Sequence, residues 1–325
     1  MLKWLNLVPF GAKPILFATF FSFGWLGVHL FYLLSAFLLG SIYFNKIDKN
    51  NWSIYNFYWH RFLRIFPAYY AQLLILVVLS YFLDYYHVLN FKQLFAHVFM
   101  YFNLPPLYVS PLNGVWWTLP IEFLFYLLMP FMVLILEKVG ALIFFFLSFI
   151  ITILYRYFVF QNLDGKNIGY ISKFIGQFPG VLIVFSIGLI AAYLVHHNKI
   201  KQYSQKWGLL IIILLFIWAQ VLLLNLEVYW SGSFLLYIWN SGSALLFMSL
   251  ILLFYKSNNP LLTNKLFVWF GKVSYGIYLW HLPFILFFKD NSTGFIDLAI
   301  KVIPFTLLCA YFSFSLVERR FSGAK

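Results

Sequence analysis

A carboxylate inside an apolar run is the first residue that calls for a chemical explanation. Glu122 lies in Trp116-Trp117-Thr118-Leu119-Pro120-Ile121-Glu122-Phe123-Leu124-Phe125-Tyr126, about a turn inside a stretch that is otherwise apolar or aromatic. Keeping an ionisable group at such depth is costly, and groups retained there usually serve a function. A carboxylate can orient an imidazole or raise its basicity. Two histidines lie in comparable surroundings. His281 follows Ser274 and Tyr278 at helical spacing, so the three share one face. His29 stands near the start of another apolar run. Either imidazole could act as base, acid or hydrogen-bond partner. Arg61 and Arg64, three residues apart, put two guanidiniums on one helix face, and arginine forks suit phosphate groups. The plainer readings are an interfacial glutamate, helix-to-helix hydrogen bonds and positive anchors at a membrane surface.

These residues must be positioned by membrane helices. The chain has 325 residues, is 63% hydrophobic and 10% charged, and carries a net charge of +13. A soluble domain has roughly 25% charged residues, so a soluble single domain and a disordered chain are excluded. Cys309 is the only cysteine, which excludes a disulfide scaffold. Apolar runs near 25–44, 66–83, 116–136, 140–158, 177–196, 207–225, 234–255, 270–288 and 296–317 predict an all-α, polytopic transmembrane bundle. About nine spans in a single membrane domain over 1–325 are expected. Lys46, Lys49, Arg61, Arg64, Lys199, Lys201, Lys206, Lys256, Lys265, Arg319, Arg320 and Lys325 fall on one side if the spans alternate. That side is then cytoplasmic, with the C-terminus inside and residues 1–24 an extracytoplasmic lead-in. The basic charge reads as loop charge against a lipid bilayer, and no nucleic-acid partner is expected. No histidine pair accompanies a carboxylate at ligand spacing on one helix, so no metal is expected. Phosphate-loop and dinucleotide patterns are absent.

Five segments, in order, resemble the acyltransferase 3 family of integral membrane acyltransferases. Gly27-Val28-His29-Leu30-Phe31-Tyr32-Leu33-Leu34-Ser35-Ala36-Phe37-Leu38 is similar to the family's Gly-Val-x-Leu-Phe-Phe-x-x-Ser-Gly-Phe-Leu helix. Arg61 to Tyr69 resembles its Arg-x-x-Arg-x-x-Pro-x-Tyr segment, and Trp117 to Pro130 its Trp-x-Leu-x-x-Glu-x-x-Phe-Tyr-x-x-x-Pro helix. Gly271 to Pro283 resembles the late Ser-Tyr-x-x-Tyr-Leu-x-His helix. Leu316-Val317-Glu318-Arg319 is similar to the closing Val-Glu-Arg-Pro, with Arg320 in place of the proline.

The resemblance implies transfer of an acyl group, commonly acetyl, from acyl-CoA to a hydroxyl of a cell-surface glycan or glycolipid at a bacterial plasma membrane. Acetyl-CoA would then be a donor substrate, with no bound cofactor. It implies that Arg61 and Arg64 hold the donor and that the catalytic histidine belongs to a helix ahead of these segments; Glu122 would orient or raise the basicity of an imidazole, with His29 or His281 as the substitutes this chain offers. Trp117, Ser274 and Tyr278 would line the substrate path. The family also has an Arg–His helix ahead of the first matching segment, and none precedes Gly27. The chain therefore reads as lacking that helix and as an inactive copy, as a chain whose start is placed too late, or as one in which another residue does the work. The rival function is a polysaccharide or lipid-linked glycan transporter or flippase. It explains the spans and Glu122 but not the Arg-x-x-Arg segment.

Overall fold

A computed structural model describes residues 26–83, 86–102, 104, 109–163, 168–199, 207–255, 260 and 263–322. The expected lead-in over residues 1–24 lies outside them. Every long described element is helical, as the apolar runs require. With no water in a hydrocarbon layer, backbone N–H and C=O groups must be satisfied within the segment, and a helix does this alone. The long helices are α1 (Leu26–Asp48), α2 (Ile54–Leu79), α4 (Leu119–Leu163), α6 (Phe178–His196), α7 (Trp207–Leu224), α9 (Phe234–Phe254), α10 (Lys265–Phe288) and α11 (Phe295–Phe312). Short helices join them: α3 (Phe91–Val98), α5 (Ile168–Ile175), α8 (Leu226–Trp230) and α12 (Arg319–Ser322). A 3₁₀ turn, Gly114–Thr118, leads into α4, and a π-helical turn, Ser313–Glu318, separates α11 from α12.

Among the described residues, seven helical stretches are long and apolar enough to cross a membrane. The expectation of about nine spans differs from this count at two places. Residues Gly114–Leu163 form one 50-residue stretch, about twice the roughly 20–25 residues that one crossing needs. It is interrupted at Gly140, whose φ of 80° and ψ of 165° are not helical. A φ in this range suits glycine, and Gly140 is the first residue of the second of the two apolar runs expected there. Helix α10 is 24 residues long but is diluted by Lys265, Gly271, Lys272, Ser274 and His281.

Contacts divide the chain into two units, each discontinuous in sequence. The first takes the described residues within 54–123 and 258–322, and the second those within 26–53 and 124–257. In the second unit α1 packs along α6. Gly188 makes that approach possible, because a Cβ there would collide with the Leu33 carbonyl and the Ala36 methyl. Small residues at a membrane helix interface let backbones approach closely. Tyr32 and Phe125 both stack on Phe185, with centroids 4.6 and 4.3 Å away. In the first unit α2, α3, the 3₁₀ turn, the first turn of α4, α10, α11 and the π-turn hold most of the residues singled out for chemistry.

Candidate active site

The first unit is tied together around a backbone group that a proline sets free. Pro283 has no N–H, so the carbonyl of Leu279, four residues earlier in α10, loses its helical donor. Two buried amides take its place. Gln72 Nε2 on α2 donates to Leu279 O at 2.7 Å, and Asn113 Nδ2 donates to the same oxygen at 2.9 Å. Gln72 Oε1 then accepts from Trp116 Nε1 at 2.8 Å. Asn113 Oδ1 caps the 3₁₀ turn, accepting from Val115 N–H at 3.3 Å. Each such bond contributes about 0.5–1.5 kcal/mol net, and orphaning a buried partner costs about 1–3 kcal/mol. The network fixes the 3₁₀ turn against α2 and α10, and thereby places the start of α4.

Glu122 lies in that first turn of α4 and is 2% exposed. Tyr278 of α10 donates its phenolic proton to Val115 O and lies 2.5 Å from Thr118 Oγ1. Glu122 lies within electrostatic range of the Tyr278 hydroxyl. Phe66 and Phe123 meet edge to face at 5.5 Å, setting Glu122 alongside the middle of α2. His281, one turn beyond Tyr278, is half-buried, and its Nδ1 lies 2.8 Å from Tyr278 O and 3.2 Å from Ile277 O. A ring nitrogen facing carbonyls carries the proton, so the lone pair belongs to Nε2.

Nearer the start of α2, Arg61 and Arg64 lie one turn apart and half-exposed. Arg64 Nη1 is 3.4 Å from Glu318 Oε2, and its guanidinium lies 6.0 Å from the Tyr275 ring centroid. Trp117 is half-buried, whereas its neighbour Trp116 is fully enclosed. Ser274 is exposed and donates to Gly271 O at 2.9 Å within its own helix, so it does not join Tyr278 in the network. His29 belongs to the second unit, where it is 7% exposed on α1.

Several residues in these sites carry no conspicuous signal in the sequence. Gln72 and Asn113 are uncharged, and their common acceptor belongs to the main chain. Pro283, four residues after Leu279, was the available signal. Arg156 is a buried cation of the second unit and lies in an apolar run. Like Glu122, it is an ionisable group kept at a depth where retention is costly. Its Nε donates to Gly180 O at 2.9 Å and its Nη1 donates to Leu236 O. No carboxylate among the described residues is paired with it.

His97 also emerges only from the fold. Helix α3 starts on a reciprocal cap, Asn90 Oδ1 accepting from Gln93 N–H and Gln93 Oε1 from Asn90 N–H, both at 2.9 Å. His97 Nδ1 donates to Gln93 O at 2.7 Å, and its Nε2 accepts from Leu112 N–H at 2.8 Å. The ring thus anchors the residue beside Asn113. Burial pushes its pKa below the usual histidine value, with the Gln93 carbonyl opposing in part. The unfolded state therefore takes up a proton first as pH falls. The contribution of His97 is complete above about pH 6.5 and declines from there towards its lowered folded value. Thermal melts of detergent-solubilised protein between pH 7.5 and 5 should show a steeper loss of Tm for the parent chain than for His97→Gln. Parallel curves would exclude this role.

The sequence pattern of the family described as "Acyltransferase domain" matches residues 4–317. The chain belongs to this family. Among relatives, a protein of Acidianus two-tailed virus bearing an acetyltransferase name, ORF330, is 31% identical over 278 residues, covering 82% of this chain and 75% of that protein. The peptidoglycan O-acetyltransferase OatA of Listeria monocytogenes is 31% identical over 132 residues, which are 35% of this chain and 20% of that much longer protein. No solved structure matches the chain. Membership of the acyltransferase family makes the protein an acyltransferase, and its apolar helices make it a membrane protein. The family match favours acyl transfer over the transporter reading.

Proposed function

We propose that this acyltransferase moves an acyl group, acetyl in the first instance, from acyl-CoA to a hydroxyl of a cell-surface glycan or glycolipid. The observation that carries the reading is that one unit holds both a pair of guanidiniums in the first half of α2 and a buried carboxylate at the start of α4. Arg61 and Arg64 bind the donor's phosphates. The basic loops, and with them the C-terminus, face the cytoplasm, where acyl-CoA is made. The OatA name supports a glycan hydroxyl as acceptor. In the reaction the acceptor oxygen bonds to the acyl carbon and the carbon–sulfur bond breaks. A general base takes the hydroxyl proton and returns it to the departing sulfur. His281 is the proposed base, because its Nδ1 is held by backbone carbonyls and Nε2 keeps the lone pair. Glu122, which lies near Tyr278 one turn before His281 on α10, is the proposed acidic partner of the base. Trp117 and Tyr278 line the substrate path.

The test is donor binding. Replacing Arg61 and Arg64 together by Ala should weaken coenzyme A binding to purified full-length protein by about 10- to 150-fold, the worth of charge-assisted phosphate contacts at roughly 1.5–3 kcal/mol. Lysines should rescue only part, because they lack the planar fork. Unchanged affinity in the double variant would reduce both arginines to membrane anchors.

A further inference from the structure

We propose that Glu318 is a positioning residue for the donor site, holding the Arg64 guanidinium where it meets the donor's phosphates. The inference rests on the reading of Arg64 as a donor ligand. Glu318 is 1% exposed, whereas the Arg64 side chain keeps 32% of its surface. A buried carboxylate facing a half-exposed guanidinium leaves one side of the arginine fixed and the other open. Both Glu318 oxygens are engaged: Oε2 lies 3.4 Å from Arg64 Nη1, and Oε1 accepts from Ser313 Oγ at 3.2 Å. Its plane is therefore set by two partners.

The backbone explains why Ser313 can reach. Residues Ser313–Glu318 form a π-helical turn, whose repeat is i to i+5, and these two residues are five apart. In a regular α-helix, position i+5 rotates off the face of i. The widened turn brings hydroxyl and carboxylate together, and single π-turns recur at functional sites. Arg64 is further steadied by the Tyr275 ring, whose hydroxyl donates to Ile65 O at 3.1 Å beside it on α2. Among the described residues, its remaining N–H groups have no hydrogen-bond partner. They are the groups offered to an anion. A free arginine surrenders much rotamer freedom on binding phosphate. One already held by a carboxylate surrenders less, so affinity rises through preorganisation.

Charge and positioning make opposite predictions here, which gives the test its sign. If Glu318 acted only through its charge, neutralising it would leave more positive potential at Arg64 and tighten coenzyme A binding. If it positions Arg64, Glu318→Gln weakens coenzyme A binding, by about 5- to 10-fold, and raises KM for acetyl-CoA while kcat at saturating donor changes little. Ser313→Ala keeps the ion pair but loosens the carboxylate, and should weaken binding about 2- to 3-fold. In an Arg64→Ala background, Glu318→Gln should add nothing to the loss of affinity. It should also recover thermal stability there by removing an uncompensated buried charge. All measurements use the full-length chain in detergent with coenzyme A as probe. Unchanged or tighter binding in Glu318→Gln and Ser313→Ala, with Arg64→Ala still impaired, overturns this inference alone. No effect of Arg64→Ala on binding overturns the donor reading beneath it.

Discussion

Glu122→Gln should cut acyl transfer by about 10²- to 10⁴-fold relative to the parent chain, with membrane insertion and coenzyme A affinity unchanged. The substitution preserves shape and removes charge. Glu122 is enclosed at 2% exposure in the first turn of α4, and an ionisable group kept at such depth usually serves a function. The proposed donor ligands Arg61 and Arg64 lie on a different helix, so affinity for coenzyme A should survive. The check is acetyl release from acetyl-CoA by purified protein with a glycan acceptor, beside a binding measurement. Parent-level turnover in the Gln variant would leave the carboxylate a structural group.

His281→Ala should lose a comparable 10²- to 10⁴-fold in kcat, and the loss should not multiply with that of Glu122→Gln. Residues acting as one unit are grossly non-additive, so the double variant should be about as slow as the slower single one. The expectation follows from Nδ1 being committed to the Tyr278 and Ile277 carbonyls, which leaves Nε2 to take the proton. His281→Gln keeps a donor for those carbonyls but cannot act as base, so it should fold like the parent and stay slow. If His29→Ala is the inactive variant and His281→Ala is not, the base belongs to the second unit.

The sequence made the membrane class and the helical content legible because hydrocarbon leaves the backbone few alternatives. The runs near 177–196 and 207–225 coincide closely with α6 and α7, and the break at Gly140 falls where the fourth run begins. Glu122, Arg64 and His281 were legible because charge or an imidazole in apolar surroundings is conspicuous. What escaped was the chemistry of neutral groups. Gln72, Asn113 and His97 act through backbone partners distant in sequence, and no spacing rule joins residue 72 to residue 279. Ser274 illustrates the converse. Helical spacing placed it with Tyr278 and His281, yet its hydroxyl turns back to Gly271. Glu318 was visible as part of a motif, but its link to Arg64 spans 254 residues and depends on a π-turn that composition does not announce.

The carbonyl released by Pro283 has a bearing on how mutational maps of this protein should be read. Its acceptor oxygen is main chain, so every residue type at position 279 carries the same group. A scan of that position reports only how well a side chain packs. The information that makes Leu279 a junction is stored elsewhere: at residue 283 in the form of an absent hydrogen, and at residues 72 and 113 as two amides that read it.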